Sequence, residues 1–112
     1  MAEAAKQLLE ERTVDLPFRF DKVWDTARFV FEQSQWSIVK ADKAAGRYEV
    51  AVSLRLGQDD LLPYLEKLRV DLTRIDENST RVRAAIKAHQ LHWGTTRSHV
   101  DVFLIELEKR LG

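Results

Sequence analysis

The chain contains no cysteine. Disulfides, thiolate metal sites and cysteine nucleophiles are therefore excluded, and a reducing compartment is permitted. Net charge is missing too, because eighteen basic and eighteen acidic residues cancel. Gross charge thus points neither to nucleic acid nor to a membrane surface. No apolar run approaches the ~20 residues that a membrane-spanning helix needs. The opening Met1-Ala2-Glu3-Ala4-Ala5-Lys6-Gln7 lacks the basic, apolar, small-residue order of a signal peptide, so a cytoplasmic protein is expected.

Short catalytic signatures are also lacking. There is no glycine-rich phosphate loop, no GxSxG and no HExxH. His89 and His92 are three apart on an expected strand and face opposite sides, while His99 falls on a helix. Neither a metal site nor a cofactor is expected from histidines that do not converge. The carboxylate pairs Asp59-Asp60 and Asp76-Glu77 lie in turns, where solvated acids are ordinary. From these absences the chain is expected not to be an enzyme.

What is present describes one α+β domain. A chain of 112 residues buries roughly 60–70% of its unfolded surface, enough for one core. Hydrophobic residues at 45% and charged residues at 32% fit a globular protein rather than a disordered one. Residues 2–11 are rich in helix formers and read as a short helical arm, giving an arm over 1–12 and a domain over 13–112. Val14, Leu16, Phe18 and Phe20 alternate with polar residues as in a half-buried strand. Pro17 cannot donate a ladder hydrogen bond, so this strand belongs at a sheet edge.

Asp21 is a suitable N-cap for a helix to about Gln35, with Val23, Ala27, Val30 and Phe31 on one face and Trp24 beside them. A short β-prone stretch over 36–41 leads into an Asp42-Lys43-Ala44-Ala45-Gly46 turn. Three alternating runs follow: Tyr48 to Leu56, Leu68 to Leu72, and Val82 to Ala88, the last able to reach His92. Asp76-Glu77-Asn78-Ser79 joins the last two, with Asn78 as the left-handed candidate. A threonine of Gly94-Thr95-Thr96 caps a final helix whose core stripe is Val100, Phe103, Leu104, Leu107 and Leu111. The expected architecture is a curved antiparallel sheet of about five strands in β-α-β-β-β-β-α order, with both helices on its apolar face.

Three features offer themselves as functional. Positions beside the inward apolar residues point outward and include Arg47, Arg55, Lys67, Arg69, Arg81, Arg83 and Lys87, opposed by Glu49 and Asp71. Such a basic face suits an acidic partner, an anion or nucleic acid, and equally a solvated sheet surface. No exposed aromatics accompany it for base stacking, which makes nucleic acid an unlikely partner. Surplus apolar positions form the second feature: Phe29, Val102 and Ile105 lie off their helices' core stripes, and Leu61 and Leu62 follow the Gly57-Gln58-Asp59-Asp60 interruption of the strand pattern. They suit a protein partner or a second copy of the chain. Third, Trp24, Phe31, Trp36, Tyr48 and Phe103 can line a pocket between sheet and final helix, or fill the core.

Two family resemblances accompany these readings. Asp21-Lys22-Val23-Trp24, Trp36-Ser37-Ile38-Val39, Asp42-Lys43-Ala44-Ala45-Gly46-Arg47-Tyr48-Glu49-Val50, Ser79-Thr80-Arg81-Val82-Arg83 and Phe103-Leu104-Ile105-Glu106-Leu107 resemble the helix-grip domains of the BamC type. The opening strand with Phe20-Asp21-Lys22-Val23-Trp24 looks like the start of START-like (SRPBCC) domains. The first resemblance implies a helix-grip interaction domain without catalysis, although the lipidated cysteine of that type is absent. The second implies a domain that holds a small apolar ligand. Three functional readings follow: a non-catalytic protein-interaction module, self-associating or not; a START-like carrier of a small hydrophobic ligand; and an anion or nucleic acid binder using the sheet face.

Overall fold

The computed structural model describes residues 8–53, 65–88 and 99–112. Strand β1 (Leu8–Leu16) is followed by helix α1 (Phe20–Gln33), strands β2 (Ser37–Asp42), β3 (Arg47–Ser53), β4 (Leu65–Asp76) and β5 (Ser79–Ala88), and helix α2 (His99–Leu111). This is the element order that the hydrophobic periodicity implies. The five strands form one antiparallel sheet in the order β1-β5-β4-β3-β2. Strands β2 to β5 are a meander, and β1 returns to pair with β5 at an edge, where Pro17 ends it. No helix among the described residues is long and apolar enough to cross a membrane.

Register explains the core. Tyr48, Val50 and Val52 on β3, Leu68, Val70 and Leu72 on β4, and Val82, Ala84 and Ile86 on β5 are all buried. They lie opposite one another across the ladders, Val50↔Leu68 and Leu68↔Ile86 for example, so one face carries an unbroken apolar block. A sheet with one apolar face must cover it. Helix α1 does so with Val23, Trp24, Ala27, Val30 and Phe31, and α2 with Val100, Phe103, Leu104, Leu107 and Leu111. Each valine, leucine and phenylalanine among these contributes about 1.5–3 kcal/mol on burial.

Four local expectations are corrected. Residues 8–11, read as helical, are strand: Leu8 to Leu16 pair with Ala88 to Thr80 without a break. Pairing with a neighbouring strand outweighs helix propensity in so short a segment. The same strand stops at Leu16 rather than running to Phe20. Asp21 is not the N-cap; the helix opens two residues earlier, with Phe20 buried in its first turn, and Arg19 caps it without a side-chain bond. The Asp21 carboxylate sits in the first turn, which the helix dipole favours, and meets Lys43 Nζ at 3.4 Å. Asn78 is not left-handed; its N–H donates to Asp76 Oδ1 at 2.8 Å, closing the hairpin by an Asx turn. The threonine cap of the last helix and the extension of β5 to His92 lie outside the described residues.

Two backbone positions set the connections. After α1, the Gln35 N–H donates to the Glu32 carbonyl and the Trp36 N–H to the Phe31 carbonyl, both at 3.0 Å. This is a Schellman closure, and it holds Gln35 at φ 61°. Gly46, at φ 73°, ends the β2–β3 turn; its carbonyl accepts the Leu72 N–H at 2.7 Å. A Cβ at Gly46 would overlap the Leu72 carbonyl. The two sites respond oppositely to substitution. Gly46→Ala lowers unfolding stability by about 2–4 kcal/mol, through a left-handed φ and backbone overlap. Gln35→Gly raises it by about 0.5–1 kcal/mol by relieving the same conformational strain. Urea unfolding of both variants checks the pair of signs.

Candidate functional site

The two ends of the sheet differ. Tight connections close one end, between Leu16 and Phe20, Asp42 and Arg47, and Asp76 and Ser79. At the other end lie Leu8, Ser37, Ser53, Leu65 and Ala88, with the last turn of α1 and the first turn of α2. Between these ends runs a continuous aromatic cluster. Phe20 stacks on Trp24 (centroids 6.0 Å, 16°) and Trp24 on Tyr48 (3.9 Å, 16°). Phe31 meets Tyr48 edge-on at 4.9 Å and stacks on Phe103 at 5.1 Å. Trp36 then lies 6.4 Å from Phe31, and His99 meets it edge-on at 5.6 Å.

All five residues expected at a pocket, Trp24, Phe31, Trp36, Tyr48 and Phe103, are thus brought into one cluster. Trp24, Phe31, Tyr48 and Phe103 are buried and fill space against one another, whereas Trp36 is half-buried and forms the outer wall. Offset and edge-on pairs of this kind add about 0.5–1.5 kcal/mol each beyond area burial. The Schellman closure explains how Trp36 comes to stand there: it is the residue after left-handed Gln35, turned back onto Phe31. Periodicity alone did not identify His99 as its neighbour, since the helix that carries it sits far away in sequence.

Tyr48 ties the sheet to α1. Its hydroxyl donates to the Trp24 carbonyl at 3.0 Å, and no part of the residue is exposed. Burial raises its ionisation well above the ordinary value of 10.0, because a phenolate has no water there. Thr80, a polar residue that alternation places inside, is satisfied likewise: its Oγ1 donates to the Phe18 carbonyl at 2.8 Å.

The outer face is less basic than expected. Arg81 binds Asp15 through Nε and NH2 at 2.7 and 3.1 Å, and Arg83 Nε reaches Glu11 Oε2 at 2.8 Å. Arg47 Nε and Arg69 Nε lie 2.9 and 3.6 Å from the two Asp71 oxygens. As strand rather than helix, β1 brings both Glu11 and Asp15 to this face. The Arg81 hydrogen bond holds the Asp15 carboxyl below the usual range. Lys67 is exposed on the same face; Lys87 stands opposite Leu9 in the ladder, and Arg55 lies outside the described residues.

Among the surplus apolar positions, Phe29 is 43% exposed beneath the Arg110 guanidinium at 4.9 Å, and Ile105 is 49% exposed. Val102 is half-buried. Leu61 and Leu62 lie outside the described residues. Phe29 lines a shallow groove between α1 and α2 with Asp25, Thr26, Glu106, Lys109 and Arg110. A second groove, between β1 and α2, is lined by Arg12, Val14, Asp101, Leu104, Ile105 and Glu108.

No protein-family model and no curated protein matches the sequence. Solved structures do match the fold. Norcoclaurine synthase from Thalictrum flavum superposes with a TM-score of 0.63, over 95% of this chain and 87% of that one, at 9% identity. This is a helix-grip fold. Ara h 8.0201 gives a TM-score of 0.54 over 95% of this chain and 92% of that one, at 12% identity. A conserved protein from Geobacillus kaustophilus gives 0.50 over 93% and 95%, at 11% identity. These likenesses are to helix-grip folds, and they do not show the BamC-type resemblance.

They also correct an expectation. Norcoclaurine synthase is an enzyme, so this fold supports catalysis, and missing short motifs do not exclude it here. Catalytic groups converge in space from separate elements and need no contiguous signature. At this identity the likeness is one of fold.

Replacing Tyr48 by phenylalanine isolates the polar tie. Below pH 10 the wild type exceeds Tyr48→Phe by about 1 kcal/mol. Because the folded state binds the phenolic proton more tightly than the unfolded state, stability falls as pH rises past the ordinary value. The wild-type advantage therefore shrinks above pH 10 by up to about 1.4 kcal/mol per unit. Urea titrations of both proteins from pH 7 to 11 measure it.

Proposed function

We propose that this chain is a START-like binding domain for a small hydrophobic ligand, received between sheet and α2 at the end where Trp36 stands. The observation that carries the reading is the position of Trp36. It is a half-buried aromatic at the outer limit of a buried aromatic cluster, on a fold that the chain shares over 95% of its length with norcoclaurine synthase. The norcoclaurine synthase structure holds dopamine and hydroxybenzaldehyde, two small aromatic molecules. When Trp36 swings outward, an incoming ring stacks between its indole and the Phe31 ring behind it, and the imidazole of His99 adds a polar edge beside the indole. Trp36 meets Phe31 at the longest centroid distance in the cluster, 6.4 Å, so it is the ring whose displacement costs fewest contacts.

A neutral aromatic probe tests this. Titration with 2-naphthol, followed by 1H–15N shift changes, is expected to saturate and to perturb the Trp36 indole and the first turn of α2. Trp36→Ala weakens that binding at least about fivefold, the loss of one stacking partner, while circular dichroism stays native. Shifts that never saturate, or a Trp36→Ala variant that binds equally well, overturn the reading.

A further inference from the structure

The sheet has two edges, and they are unlike. Strand β2 is only six residues long, and its register slips between Ile38 and Lys40. The slip leaves Val39 exposed, and Lys40 and Lys43 stand along the same edge region. A bulge with lysines is how an edge refuses another strand. Strand β1 has neither device over its nine residues: it pairs with β5 in unbroken register from Leu8 to Leu16. Among the described residues its other side has no strand. Alternate residues of an antiparallel edge direct N–H and C=O groups outward, which amounts to roughly four residues on β1.

Beside that edge lies the groove between β1 and α2. Its apolar floor is Val14, Leu104 and Ile105, and Ile105 is one of the few large apolar side chains left exposed. Helix α2 runs in the same direction as β1, since Arg12 NH1 meets Asp101 Oδ1 at 3.0 Å and Gly112 approaches Phe18. The polar groups therefore fall in order along the edge: Glu10, then the Arg12–Asp101 ion pair, then the apolar floor with Glu108. No ion pair among the described residues engages Glu10 or Glu108.

We propose that β1 and α2 together form a docking site for an extended peptide segment of a partner protein, added antiparallel to β1 as a sixth strand. Side chains of an added strand alternate between faces, so its inward residues stand opposite Leu16, Val14, Arg12 and Glu10 in turn. Complementarity assigns them. A basic residue opposite Leu16 reaches Glu108, an apolar residue opposite Val14 fills the floor against Leu104 and Ile105, and a second basic residue opposite Glu10 meets its carboxylate. The partner thus reads Lys-x-Leu-x-x-x-Lys, with other bases and aliphatics admissible. A second copy of this chain meets like charges in the registers centred on the middle of β1. Antiparallel pairing of two β1 strands with like faces, centred on Arg12, sets Arg12 against Arg12; centred on Thr13, it sets Glu11 against Asp15. This surface is separate from the Trp36 end, and its test does not depend on the ligand reading.

The probe is a fluorescein-labelled peptide, Lys-Thr-Leu-Thr-Ser-Thr-Lys, titrated against the full chain by anisotropy at low salt. Saturable binding is expected, weakened at least about tenfold by Ile105→Asp and by Glu108→Lys. Both positions are exposed, so circular dichroism of the variants stays native. N-methylation of alternate peptide residues separates strand addition from simple charge attraction. Methylation of the set whose N–H groups face β1 abolishes binding, and the set shifted by one residue retains it. Light scattering on the free protein reads the remaining alternative. Absence of saturable binding, indifference to Ile105→Asp, equal effects of the two N-methylated sets, or a dimer that the peptide dissociates would each overturn the proposal.

Discussion

The fold depends on covering the inner face of β3, and Tyr48 is where that cover is fixed. The residue lies near the start of β3, stacks flat on Trp24, receives the edge of Phe31 and donates its hydroxyl to the Trp24 carbonyl. Aliphatic packing between sheet and helix is non-directional, and many small rotations of α1 would bury similar area. A hydrogen bond and two ring geometries at one residue remove that freedom. Once α1 is set, its C-terminal closure positions Trp36, and Phe31 offers its other face to Phe103 of α2.

Polar groups within this cover are few, and each is answered. No buried side-chain nitrogen or oxygen among the described residues lacks a partner. Thr80 is the instructive case, because it sits at the end of β5 where the chain passes from β1 to α1. Its hydroxyl closes on the Phe18 carbonyl and so fastens the edge strand's exit to the next strand in the sheet. On the outer face, cross-strand carboxylates from β1 and β4 engage Arg81, Arg83 and Arg47, so a neutral chain has distributed its charge locally as well as globally.

Alternation made most of this legible beforehand. Val50, Leu68, Val82 and their neighbours could be assigned to one face because period two leaves no other solution, and the helical stripes of α1 and α2 follow equally from period 3.6. Pro17 pointed to an edge, and β1 lies at one, but Pro17 itself falls just past the strand, which ends at Leu16. What failed was local and short. Leu8 to Glu11 favour helix intrinsically, yet a free edge on β5 offers them a ladder, and nothing in those four residues of sequence reports that offer. The aromatic set was foreseen as a group, but whether it would be lined or filled depends on ring orientations that spacing does not encode. The pairing of His99 with Trp36 depends on tertiary arrangement alone.

The slip at Val39 has an effect beyond its own strand. A sheet with two open edges can extend in both directions, and chains of that kind can string together without limit. Here one margin is spoiled by the bulge and its lysines, leaving a single margin able to accept a strand. Association along the sheet is therefore monovalent. A strand that joins at β1 therefore finds the opposite margin of the sheet, among the described residues, interrupted.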